Sequence, residues 1–126
     1  MRRLALLCPV LLIAQSAFCI SKVDFVRSLL KEPRIAGFLH PQIRPQIVIR
    51  VTEGKAKSMY VYTQKTKHLT PTKALPTTLD VFDITITNSS KLALKGHLSF
   101  KSEGLRGVFV FRQKTIRFSK LEVAET

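Results

Sequence analysis

Between Asn88 and Lys101 the chain reads NSSKLALKGHLSFK, with Lys91, Lys95, His97, Ser99 and Lys101 on one parity and Leu92, Leu94, Leu98 and Phe100 on the other. Same-face side chains of an extended strand stand about 6–7 Å apart, a repeat that suits the phosphates or sulfates of a polyanion. Arg112, Lys114 and Arg117 would widen this ladder into a patch if they lie on a neighbouring strand or turn. A second basic set, Lys55, Lys57, Lys65, Lys67, His68 and Lys73, belongs to turns and a loop. The alternation also has a plainer cause. A half-buried strand puts one face in water, and lysine there discourages edge-to-edge pairing.

Other chemistry finds little material. His40, His68 and His97 are far apart in sequence, and both cysteines, Cys8 and Cys19, lie in the N-terminal apolar segment, so no metal site is expected. Asp80 and Asp83 are the one close pair of carboxylates, and their opposite parities argue against a general acid/base pair. There is no G-x-S-x-G elbow and no glycine-rich phosphate loop among only 5 glycines. The expectation is a protein that is not an enzyme and carries no cofactor. Tyr60 and Tyr62 share a parity and could stack on sugar rings, but with no tryptophan and 8% aromatics a stacking platform is poorly supplied. That counts against nucleic-acid recognition as well. Asn88-Ser89-Ser90 is an N-x-[ST] glycosylation acceptor at a predicted turn.

The positioning elements begin with a leader. MRR followed by LALLCPVLLIAQSAFC, with small residues Ala17 and Cys19 at the −3 and −1 positions, predicts a signal peptide over 1–19, cut after Cys19 or Ala17. A retained anchor is the alternative, since the run from Leu4 to Ile20 is near the short end of a membrane span. The mature chain, 20–126, is then one secreted domain, extracellular or in the secretory-pathway lumen. It has no cysteine and no further span, and must hold together by packing alone. Without Arg2 and Arg3 it carries 19 Lys and Arg against 8 Asp and Glu, a formal charge of +11. Such a charge favours acidic partners: sulfated glycans, anionic membrane surfaces or acidic proteins.

Residues 20–45 read as a helix plus a proline-rich connector. Ser21 caps the helix, Asp24 sits in its first turn, and Phe25, Val26, Leu29 and Leu30 form an apolar stripe. Glu32 before Pro33 marks the stop, and PRIAGFLHPQIRPQ reads as extended. From Gln46 the period becomes two. QIVIRVTE and SMYVYTQ form a hairpin about GKAK, KTKHLTPTKALPTT is a long loop, and LDVFDITITNSS is a strand with a bulge near Val81–Phe82. The last stretch is a hairpin about Gln113–Lys114, with Phe111 opposite Ile116 and Phe109 opposite Phe118.

The 46–126 segment is therefore a β core, and the expected fold is mainly β: a small antiparallel sandwich of immunoglobulin-like type with five to seven strands and one short N-terminal helix. The alternative is an α+β layout with the helix across one curved antiparallel sheet. ITITNSSKLALKGHLSF resembles the paired strands of immunoglobulin-like sandwiches, without the signature cysteines and tryptophan. The leading functional expectation is a small basic binding module that meets an acidic partner through surface electrostatics. A structural or assembly subunit, docking through Phe25, Val26, Leu29 and Leu30, and a secreted effector or immune modulator are the alternatives.

Overall fold

The computed structural model describes residues 21–101, 104–113 and 115–123; the expected leader and Lys114 lie outside them. The first helix, α1, spans Lys22–Lys31, and the Ser21 side chain accepts from the Asp24 amide at 3.4 Å. Glu32 is extended ahead of Pro33, as a residue before proline prefers. The connector expected beyond it is corrected: Pro33–Phe38 is a second helix, α2. Proline at a helix start sacrifices no hydrogen bond, because that amide lacks an intrahelical partner anyway. Glu32 caps the new turn by accepting from the Arg34 amide at 3.4 Å. Six residues are too few to display a helical period.

Seven strands come after the helices among the described residues: β1 (Gln46–Glu53), β2 (Ala56–Thr63), β3 (His68–Thr72), β4 (Val81–Ser89), β5 (Leu94–Phe100), β6 (Leu105–Arg112) and β7 (Thr115–Glu122). The mainly β class with an N-terminal helix is what the chain adopts. The immunoglobulin-like ordering fits only loosely, because all seven strands form one sheet, ordered β3-β2-β1-β4-β5-β6-β7, in which β1 and β4 are parallel. β4 adds to β1 because the free edge of β2 is taken by β3, a strand inside the stretch expected to be a loop. Pro71 hid it, but β3 is an edge strand, where a missing amide is tolerated. This extra reversal leaves β3 pointing the same way as β1, so segment 73–80 must carry the chain back before β4 can start.

Two strands start later than their apolar patterns, which changes the expected phase in β4 and leaves that of β5 as expected. β4 begins at Val81, leaving Leu79 outside, so Phe82, Ile84 and Ile86 share a face without a bulge at Val81–Phe82. The irregularity falls between Ile86 and Asn88 instead. β5 begins at Leu94, and Leu92 is left in the turn with 77% exposure. The β6–β7 hairpin has the expected register, Phe111 with Ile116 and Phe109 with Phe118.

The helices cover one face of the sheet. Phe25 stacks on Phe109 at 5.0 Å between centroids and tilts against Phe111 at 5.2 Å, while Phe38 meets Phe100 edge-on at 5.7 Å. Arg34 lies over the Phe118 ring of β7, and Leu30, Ala36 and Tyr62 of β2 line a cavity of about 200 Å³. Two short helices thus reach both β2 and β7. A flat sheet would separate those strands by about 24 Å, so the sheet curls around the helix pair. One continuous core results, from Leu69 in β3 to Phe111 in β6, with Phe118 and Leu121 of β7 packed against it. Phe25, Val26, Leu29 and Leu30 are at its centre, at most 6% exposed. The stripe considered for docking a partner is spent on the protein's own sheet.

Register also defines two ends. The β1–β2, β4–β5 and β6–β7 hairpins turn at one, the upper end; the β2–β3 and β5–β6 connections lie at the lower. The Lys22 ammonium meets the Glu53 carboxylate at 2.6 Å, which places the start of α1 at the upper end. This contact, with its hydrogen bond to Lys22, holds the Glu53 carboxyl below its ordinary range. Glu53 therefore binds a proton less readily in the folded chain than in the unfolded one. Its contribution is complete above the ordinary carboxylate pKa and vanishes as the pH falls through the lowered folded value. Both side chains are about one-third exposed, so Glu53→Gln should cost under about 1 kcal/mol at pH 7. Urea unfolding of the two proteins should converge in acid; a gap that persists there would exclude this ion pair as its source.

Candidate anion-binding surface

The face away from the helices carries the sequence's polar parity. Along β5 it presents Lys95, His97 and Ser99; along β6, Arg106, Val108, Val110 and Arg112; along β7, Thr115, Arg117, Lys120 and Glu122. Lys95, Val110 and Arg117 share a row, so the two cations stand about 10 Å apart across two strand spacings. Below them His97, Val108 and Lys120 share the next row, which continues through Thr85 and Thr52 to Lys57. The expected ladder is shorter than its sequence pattern. Lys91 sits in the β4–β5 turn, and Lys101 follows β5 at the lower end, about 20 Å from Lys95.

The topology re-sorts the remaining lysines. Lys55 and Lys57, at the β1–β2 hairpin, join Lys91, Lys95, Arg112 and Arg117 at the upper end. Lys65, Lys67 and His68 lie at the lower end of β2, about 25 Å away, whereas Lys73, just past the upper end of β3, is level with Ser58 and so next to Lys57. The second basic set is therefore two sets. Arg106 and Lys120, not singled out by spacing, also reach the open face. Both approach Glu122, at 3.8 and 3.1 Å, over a depression of about 500 Å³ that His97 and Ser99 also line. Their signal was the hairpin register, which makes β7 parity readable once Phe109 and Phe118 are paired.

The carboxylates are mostly occupied. Arg50 makes a two-pronged contact with Asp83 at 2.5 and 3.0 Å, which raises the arginine pKa further, and Arg44 meets Asp80 at 2.7 Å while lying over Phe100. Asp80 and Asp83, the pair considered for acid/base chemistry, each hold a different arginine. Glu32, Glu53 and Glu122 are also in ion pairs, whereas Lys55, Lys57, Lys91, Lys95, Arg112 and Arg117 have no carboxylate partner among the described residues. The upper-end charge is exposed and uncompensated among those residues.

Tyr62 and Tyr60 point toward the helices, Tyr62 only 9% exposed with its hydroxyl pKa raised by burial, so neither offers a stacking surface on the open face. Asn88 is exposed at the end of β4, paired with Lys95. Ser90 of the same acceptor triplet shapes the turn: its hydroxyl accepts from the amides of Leu92 and Ala93. Among the described residues no three His, Cys, Asp or Glu side chains come together as a metal site would need, and no helix is long and apolar enough to cross a membrane. Comparison with protein-family models, curated proteins and solved structures finds no match.

Proposed function

We propose that this is a secreted basic binding module whose upper end and adjoining open face capture an acidic partner, a sulfated glycan, an anionic surface or an acidic protein. The observation that carries this is the gathering of Lys55, Lys57, Lys91, Lys95, Arg112 and Arg117 from three separate hairpins onto one end, none opposed by a carboxylate among the described residues. Charge so exposed accelerates encounter and gives association that weakens with salt. The rival role as an assembly subunit rested on the helix stripe, which the core already uses.

Residues 20–126, which contain every core residue among those described, should elute later from heparin than from a plain sulfonate exchanger of matched charge density. Replacing the six upper-end cations by glutamine should remove that difference, while the same change at Lys65, Lys67 and Lys101 should leave most of it. Equal elution from both columns would mean diffuse charge and would sink the proposal. A glycan on Asn88 would stand beside Lys95 and reduce the heparin preference, so Asn88→Gln provides the comparison.

A further inference from the structure

We infer that the upper end of the sheet is a membrane-facing surface that docks on anionic bilayers, an inference that rests on the acidic-partner reading above and names the partner. Three tight hairpins turn at this end, β1–β2, β4–β5 and β6–β7, and each carries an exposed cation: Lys55, Lys91 and Arg112. The strand order puts neighbouring tips about 10 Å apart along the curled edge of the sheet. At the middle tip Leu92 follows Lys91 and is 77% exposed, the most exposed large apolar side chain among the described residues. Its place is fixed by the Ser90 turn beneath it, which the Leu92 amide helps to close. An apolar side chain held out between cations is the combination that anionic bilayers reward, the cations at the headgroups and the side chain in the interface.

The lower end is the internal control. It is also basic, with Lys65, Lys67 and Lys101, and also exposes an apolar residue, Ile43 at 70%. There, however, the cation next to the apolar residue, Arg44, is engaged by Asp80 at 2.7 Å, whereas Lys91, next to Leu92, has no carboxylate partner among the described residues.

The chain contains no tryptophan, so Leu92→Trp and Ile43→Trp each create a single fluorescent reporter at an exposed site. Both are made in residues 20–126, so that any binding belongs to the domain and not to the leader. With phosphatidylcholine vesicles containing phosphatidylglycerol, the position-92 emission should shift to the blue and be quenched by brominated acyl chains, with no change at position 43. Phosphatidylcholine alone should do neither. Lys91→Gln together with Arg112→Gln should weaken vesicle binding about 25-fold, about fivefold for each charge, whereas Lys65→Gln with Lys67→Gln should change it little. A shift at position 43 instead of 92, or at neither, overturns the inference. Heparin preference without vesicle binding would overturn the membrane assignment and leave the acidic-partner reading standing; loss of both would remove both.

Discussion

Phe25→Ala should destabilise the domain by about 3–5 kcal/mol, the range for truncating a buried phenylalanine. Phe25 has no exposed surface and joins α1 to the sheet through two rings, Phe109 and Phe111. A domain of this size has about 5–15 kcal/mol in all, so the loss should lower the melting temperature by roughly 15–30 °C. No disulfide can offset it, because Cys8 and Cys19 are the chain's 2 cysteines and both precede α1. Thermal unfolding followed by circular dichroism measures this directly. Arg27→Ala, on the exposed side of the same helix, should change stability by no more than about 0.5 kcal/mol. Similar losses for the two variants would mean that α1 does not rest on β6 as described.

Gly96→Ala should be comparably damaging, for the opposite reason. A Cβ at Gly96 would fall inside the contact radius of the Thr85 carbonyl oxygen and only 3.0 Å from the Ile86 Cα and the Phe109 ring. Two of these neighbours are backbone, so β4 or β5 would have to move just where the β4 ladder already shifts register. Overpacking usually costs about 1–3 kcal/mol, and a backbone clash beside the Phe25–Phe109 stack should put this variant at about 3 kcal/mol or beyond. Gly107→Ala offers the contrast. Its closest obstacle is the Leu121 Cδ1 at 2.8 Å, the end of a side chain that can turn away, and its nearest backbone atom, the Lys120 carbonyl oxygen, is at 3.0 Å and needs only a small shift, so a cost of about 1–2 kcal/mol is expected. Equilibrium denaturation of both variants tests the ranking. If Gly107→Ala proves the worse, the close packing of β5 beneath Phe109 is not what limits this core.

Much of the local structure was legible in the residues. Ser21, Asp24 and the stripe from Phe25 to Leu30 specify a capped helix, because capping and helical spacing are properties of neighbouring residues. The alternation in QIVIRVTE and VFVFR, and the facing of Phe111 with Ile116, were equally readable, since hairpin register depends on a short turn. Where an element is short or starts on proline, that legibility fails. α2 has six residues, and β3 is five residues containing Pro71; each forms because of what it packs against or pairs with, which no local pattern reports.

The candidate surface divides in the same way. That this chain would present uncompensated positive charge follows from its composition, and that Lys95 and His97 would face water follows from the parity of β5. Sequence spacing could not say that Lys55 and Arg112 share an end while Lys55 and Lys65, only ten residues apart, do not. Strand direction decides it. Each tight hairpin reverses the chain over one strand length, so basic residues gather by which end their turn occupies, and the parallel pairing of β1 with β4 brings the N-terminal hairpin to the same end as the two C-terminal ones. That pairing joins residues such as Arg50 and Asp83, 33 apart in sequence, a long-range contact that only the folded core could select.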